Sequence, residues 1–255
     1  MATDLPLLWH FTFSHYAEKA RWALDWKNIP HLRRQMLPGL HYPRAFWATG
    51  QPTLPILWLD GKPIADSTRI IAALERRFPA PPLYPVDEGE RRRALELEEF
   101  FDEELGHPLR RVLFQQAFLA PDAAEQGAEV FSTGYGPRTR RVLRASFPAT
   151  RAFLRWRYTV APGTAEASRA KVLAALDRIE AELRPSGYLV GERFSVADLT
   201  AAALFSPLVL PVEFPYPYRV PAAGGFRASL AGRRAFRWVA EMYRKHRGVS
   251  VEVAA

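Results

Sequence analysis

Three short stretches carry residues whose types and spacing could do chemistry. Asp66-Ser67 places an acid and an alcohol directly before Ile70, Ile71, Leu74 and Phe78, which recur at helical spacing. Both are good N-cap residues, and a helix N-terminus suits an anion. Leu54-Pro55 heads an apolar run of strand length. Proline cannot donate to a ladder inside a strand, so a proline there is a candidate cis bond. A cis bond would turn the Leu54 backbone outward and leave its N–H and C=O for a ligand. Ser14 stands where a helix over Tyr16 to Lys27 would begin, as its cap. His15 beside it could act as base or donor.

The elements that must hold these residues follow from the pattern. Leu54–Leu59 reads as a strand, Asp60-Gly61 as a two-residue hairpin turn, Lys62–Ala65 as the return strand, and the capped helix follows at once. Leu5–Trp9 is a first buried strand. Leu32–Met36 is a second, and its Arg33, Arg34 and Gln35 suggest an exposed sheet edge. Pro38–Pro52, rich in Pro, Gly and aromatics, reads as an irregular lid with at most a short helix. Pro79–Pro85 holds four prolines and reads as a linker.

Beyond the linker the pattern is helical only. Glu90–Ala120 is one long periodic segment that Gly106 and Pro108 should kink or split. Pro121–Pro162 is repeatedly interrupted. Glu166–Arg184 is a clean amphipathic helix, and Val196–Phe205 a mostly apolar one. Pro207–Pro221 is proline-rich, and Phe226–His246 reads as a single basic amphipathic helix. Ser195 and Asp198 form a capping box, with Phe194 and Leu199 as its hydrophobic staple.

The chain has 255 residues, 48% of them hydrophobic and 24% charged, an ordinary globular mix. It has no cysteine, which excludes disulfides, Cys-ligated metals and a cysteine nucleophile. No metal site is expected. No apolar run reaches spanning length and Met1–His10 lacks the features of a signal peptide, so the expected location is cytoplasmic, away from membranes. The net charge of +8 favours anionic partners. Arg138–Arg157 and Arg227–Arg247 would serve a nucleic-acid or membrane-surface role. Yet these arginines alternate with apolar residues at helical spacing, as a packed helix would, and neither partner is expected.

Leu-Pro before a strand, a Gly turn and Asp-Ser opening a helix resemble the thioredoxin-like half of glutathione transferases. Gly191–Asp198, with Tyr-Leu-x-Gly just before the Ser-x-x-Asp box, is similar to their helical half. Ser14-His15-Tyr16-Ala17-Glu18-Lys19-Ala20-Arg21 is similar to the Ser-Pro-Tyr-x-x-Lys-x-Arg run of serine-type members, with His15 in place of the usual proline. The resemblance implies an α+β thioredoxin-like domain over residues 1–79, with about four strands and flanking helices. A linker over 80–85 and an all-helical bundle over 86–255 complete the chain, and the protein would be a homodimer.

By the same resemblance glutathione would be the co-substrate. Leu54, before Pro55, would pair through its backbone with the cysteinyl unit. Asp66 would take the ammonium of the γ-glutamyl end, and Ser67 with its helix N-terminus the carboxylate. Ser14 would donate to the thiolate, with Tyr16 a competing hydroxyl. Gln51 would meet the glycine carboxylate, with His41 and Arg44 as further candidates. Phe13, Phe114, Phe118 and Tyr135 would line the electrophile pocket. Lys19 and Arg21 read as surface charge and a structural ion pair. The expected function is transfer of the glutathione thiol to a small apolar electrophile. A non-catalytic module holding glutathione or a protein partner is the alternative.

Overall fold

A computed structural model describes residues 5–216 and 224–253. The order of elements is β1 (Leu7–His10), α1 (His15–Trp26), β2 (Leu32–Gln35), α2 (His41–Thr49), β3 (Ile56–Leu59), β4 (Lys62–Ala65) and α3 (Ser67–Arg77). The sheet runs β2-β1-β3-β4. β1 is parallel to β2 and antiparallel to β3, and β3 and β4 form a hairpin. Asp60 and Gly61 both take positive φ, 49° and 74°, as a type I′ turn requires. Alternate residues of the strands face opposite sides. Leu8 and Leu57 join the core under α1 and α3, while Trp9 and Ile56 join a smaller cluster with Ala45 of α2. This is the thioredoxin-like sheet domain the sequence implied; beyond it the described residues form helices, with one isolated bridge from Glu252 back to His31.

The helical part comprises α4 (Glu88–Phe101), α5 (His107–Leu119), α6 (Ala123–Phe131), α7 (Pro137–Ala145), α8 (Phe147–Arg157), α9 (Pro162–Glu182), α10 (Val196–Val209), α11 (Gly224–Leu230) and α12 (Arg234–Met242). α4 and α5 are not split. A π-helical turn, Asp102–Gly106, joins them into one rod. Pro108 supplies no N–H to the carbonyl one turn back, and a π turn is a usual place for such a kink. Every residue of α10 is buried, as its lack of a polar face requires. Its first turn is anchored by Asp198, whose carboxylate accepts from Ser195 N at 2.9 Å and Leu189 N at 2.8 Å.

One core runs through both parts, from Leu8, Leu24 and Ile71 to Leu97, Leu176, Phe205 and Met242. A second, separate cluster joins the end of α5 to α6 and α8 through Phe118, Phe131, Phe147 and Leu154. The segment between α3 and α4 is held to α1, where Lys27 Nζ donates to the carbonyls of Phe78 and Pro81 at 2.7 and 2.9 Å.

The structure corrects several expectations. α2 fills the segment expected to be irregular, with nine residues closed by Gly50 at φ 70°. Pro121–Pro162 holds α6, α7 and α8. The single helix expected over Phe226–His246 is instead α11, α12 and a π turn, Tyr243–Arg247. Arg33 on edge strand β2 is not a solvent charge: its side chain is buried and pairs with Asp25 at 2.7 Å. Lys19 is likewise fully buried rather than on the surface. Part of the Pro207–Pro221 stretch, residues 217–221, lies outside the described residues.

Candidate functional site

The turn Phe11–Ser14 between β1 and α1 is fixed from within. Arg21, on α1 and fully buried, pairs with Glu18 at 2.8 Å. Its guanidinium also donates to the carbonyls of Phe11 and Thr12 at 3.1 and 3.2 Å, and weakly to that of Ser14 at 3.4 Å. The structural pairing expected of Arg21 thus also clamps the turn. Thr12 N donates to Gln35 Oε1 on β2 at 2.8 Å. Ser14 caps α1, and its Oγ accepts from Ala17 N at 3.2 Å. The hydroxyl proton is left to donate elsewhere.

Ser14 opens onto a cavity of about 440 Å³ between the sheet domain and α5, α6 and α8. His15, Tyr16, His41 and Leu54 share its wall with Ser14. Phe13, Phe114 and Phe118 line it as expected. Tyr135 does not; its hydroxyl donates to the Gln35 carbonyl at 2.7 Å. Gln51, Pro55, Arg44, Asp66 and Ser67 lie off this wall. The Leu54-Pro55 peptide is cis. Gln51 and Arg44 are exposed, and the Gln51 backbone is tied to Thr49 Oγ1.

Asp66 and Ser67 start α3 side by side. Asp66 is exposed and Ser67 buried. Asp66 Oδ1 accepts from Thr68 N and Arg69 N at 3.0 and 3.1 Å. Its φ of 79° with ψ 129° is a conformation that costs a non-glycine residue. Thr68 Oγ1 meets Lys19 Nζ at 2.8 Å, and Lys19 reaches Asp102 and Glu98 at 2.6 and 2.8 Å. Burial works against the Lys19 charge, but Asp102 and Glu98 outweigh it and hold its pKa above the usual lysine value. This cluster ties α1, α3, α4 and the π turn together beside the cavity.

His15, His41 and Tyr16 on the wall are held out of acid–base work. Burial pushes His15 down to about 3, with Arg110 and His107 adding to the effect and the Gly106 backbone opposing it. Its Nε2 has no hydrogen-bond partner. Burial lowers His41 to about 4 against the backbone of Leu37 and Pro52. Both imidazoles are therefore neutral near pH 7. The Tyr16 hydroxyl donates to the Asp102 carbonyl at 2.6 Å, and burial raises its pKa. Its proton is engaged, so Ser14 is the free hydroxyl of the pair. A Cβ on Gly106 would run into the Tyr16 hydroxyl and ring, so glycine leaves the room that ring needs.

Sequence reading missed Arg110, on α5, and Arg157, on α8, which also line the cavity. The signal was present for Arg110. It occupies the same helical stripe as Phe114 and Phe118, a charge at a position the periodicity reserves for apolar residues. Elsewhere the basic run is partly neutralised, as Arg140 and Arg144 both pair with Glu125. Among the described residues there is no group of His, Asp and Glu able to hold a metal ion, and no helix long and apolar enough to cross a membrane.

A four-stranded β2-β1-β3-β4 sheet with a capped helix after its hairpin, followed by a helical half, defines a thioredoxin-like domain joined to an all-helical one. The family models "Glutathione S-transferase, N-terminal domain" and "Glutathione S-transferase, C-terminal domain" match residues 8–82 and 162–241. The chain belongs to the glutathione S-transferase superfamily. No curated protein matches it. Among solved structures, the β-etherase LigF from Sphingobium sp. strain SYK-6 is similar at 20% identity and TM-score 0.62, covering 92% of this chain and 98% of that one. A glutathione S-transferase from Rhodospirillum rubrum F11 is 20% identical, with TM-score 0.59 and coverage of 92% and 91%. One from Methylobacterium radiotolerans, in complex with glutathione sulfonate, is 21% identical, with TM-score 0.55 and coverage of 92% and 93%.

Proposed function

We propose that this protein is a glutathione-dependent transferase in which Ser14 activates the thiol. The observation that carries the reading is that Ser14 and Leu54 open onto one aromatic-walled cavity. In this reading the cysteinyl unit pairs with the Leu54 backbone beside Pro55. The γ-glutamyl end lies over Asp66 and Ser67, and the glycine carboxylate lies toward Gln51, His41 and Arg44. Family membership and the glutathione-sulfonate complex of the Methylobacterium relative support glutathione as the ligand.

The thiolate is the reactive form of a thiol. Lowering its pKa by one unit takes about 1.4 kcal/mol of preferential stabilisation. A hydrogen bond to a charged acceptor supplies roughly 1.5–3 kcal/mol, and the α1 N-terminus adds about 0.3–1 kcal/mol. Ser14 and its helix can thus lower the thiol pKa by roughly one to three units. With His15 and His41 neutral and weakly basic, the thiol proton passes to solvent. The electrophile rests against the aromatic wall formed by Phe13, Phe114 and Phe118. Residues 1–79 and 86–255 act as the two units flanking the site, and the protein works in the cytoplasm as a homodimer.

Calorimetric titration of glutathione into wild type and Ser67→Ala tests the glutathione site. Wild type should bind, and the variant should bind about tenfold or more weakly, as loss of a hydrogen bond to a charged group implies. No binding by wild type, or no loss in the variant, rejects it. The weak basicity of His15 and His41, the imidazoles on the wall with Ser14, favours a second reading, a module that holds glutathione without turning it over. An unshifted thiol pKa of bound glutathione, read by thiolate absorbance, would select that reading.

A further inference from the structure

The cavity wall carries a cation that no carboxylate neutralises. Arg110 projects from the stripe of α5 that also bears Phe114 and Phe118. Its guanidinium lies over the Tyr158 ring, 4.3 Å from the centroid, and 6.0 Å from that of Tyr16. Arg110 Nε is buried and finds no hydrogen-bond partner among the described residues. Among the described residues no carboxylate reaches Arg110 or Arg157 at ion-pair distance, whereas the buried Lys19, Arg21 and Arg247 are each paired with acids. Arg157 lies near the same ring, 5.3 Å from the Tyr158 centroid, and also lines the cavity. Facing them from α6, Gln126 leaves its Oε1 buried without a partner. Among the described residues no Asp or Glu contributes to the wall.

A buried cation without a counter-ion is costly, so its place calls for an anion. A guanidinium fork matches a carboxylate or sulfonate bidentately. We propose that Arg110, assisted by Arg157, binds the anionic group of an aromatic ligand whose apolar body lies against Phe114, Phe118 and Phe131. The unpartnered Gln126 oxygen suits a hydroxyl or N–H on the same ligand. Calling that ligand the electrophile rests on the transferase reading; the anion site itself rests on the cavity alone. Glutathione also carries carboxylates, and the experiment separates the two sources.

Fluorescence titration with 8-anilinonaphthalene-1-sulfonate and its neutral analogue N-phenyl-1-naphthylamine reads the site without glutathione. Wild type should bind the sulfonate more tightly than the neutral probe. Arg110→Met should weaken the sulfonate about tenfold or more and leave the neutral probe within about twofold. Arg110→Lys should retain part of the preference. Calorimetric glutathione affinity should be unchanged in Arg110→Met. Equal effects on both probes, or no effect on either, would overturn the proposal. So would a loss of glutathione binding with sulfonate binding intact, which would assign the cation to the tripeptide. If Arg110→Met fails to fold, the wild-type comparison decides: no preference for the sulfonate overturns the site.

Discussion

Arg247 Nε lies 2.6 Å from Glu18 Oε1, so the last helical turn of the chain is ion-paired to the first helix. Arg247 also reaches Asp25 at 2.9 Å, and Asp25 in turn pairs with Arg33 at 2.7 Å. All four side chains are buried. Removing one member of such a network leaves a charge without compensation, at roughly 3–5 kcal/mol. Arg247→Met should therefore lower stability by about that amount in urea denaturation. Burial pushes the Asp25 pKa up, but Arg33 and Arg247 outweigh it and hold it below its usual value. Its contribution is present above the unfolded-state pKa and is lost as pH falls through the folded one. The acid limb of the stability profile should flatten in Arg247→Met.

Ser14→Ala removes both a helix cap and the proposed thiol donor. The cap contributes about 1 kcal/mol. The pKa of bound glutathione should rise by roughly one to two units, and turnover near neutral pH should fall by about tenfold or more. Thiolate absorbance and steady-state kinetics measure the two. A variant that loses stability but keeps the thiol pKa would reduce Ser14 to a cap.

Asp66 sits in a backbone conformation that glycine would adopt more easily, at φ 79°. Glycine at an N-cap costs only a few tenths of a kcal/mol relative to aspartate, and relief of backbone strain is of order 1–3 kcal/mol. Asp66→Gly should therefore be at least as stable as wild type in thermal unfolding. Its glutathione affinity should nonetheless drop about tenfold or more, because the ammonium loses its charged acceptor. An affinity equal to wild type would show that the acid serves the helix alone.

Burial raises the Asp198 carboxyl to about 6, against its hydrogen bonds to Leu189 and Ser195. The folded protein therefore binds the proton more tightly than the unfolded chain. This contribution to stability is fully present below the unfolded pKa of about 3.8 and is lost as pH rises through about 6. Relative to Asp198→Asn, wild type should lose roughly 2 kcal/mol of stability between about pH 4.5 and about pH 7.5. Urea titrations of both proteins at the two pH values check it. A difference that is flat with pH would place the Asp198 pKa near its ordinary value.

The sheet domain was legible because its signals are local. Asp60-Gly61 fixes a turn, Asp66-Ser67 a helix start, and the alternation around them two strands. The clamp of Arg21 and the cluster of Lys19, Glu98 and Asp102 were not legible, because nothing in a chain pattern tells a buried, paired charge from a solvated one. Arg33 was misread for the same reason: its partner Asp25 lies on another element. Ser14 and Leu54, placed by the resemblance, and the aromatics Phe13, Phe114 and Phe118 meet on one cavity wall. Arg110 was hidden by the assumption that a charge on a helix faces water. Residues 121–162 were opaque because Gly134, Gly136, Pro137 and Pro148 punctuate helices too short to show a period.

The floor and the roof of the cavity belong to different packed bodies. Ser14 and Leu54 stand on the sheet domain, whose large core continues into α4, α9 and α10. Phe131 and Phe147 belong to the small satellite cluster of α6 and α8. A satellite of that size can open on its own while the main core stays shut. Opening of that satellite would bare the cavity without disturbing the packing of the sheet domain on α4, α9 and α10.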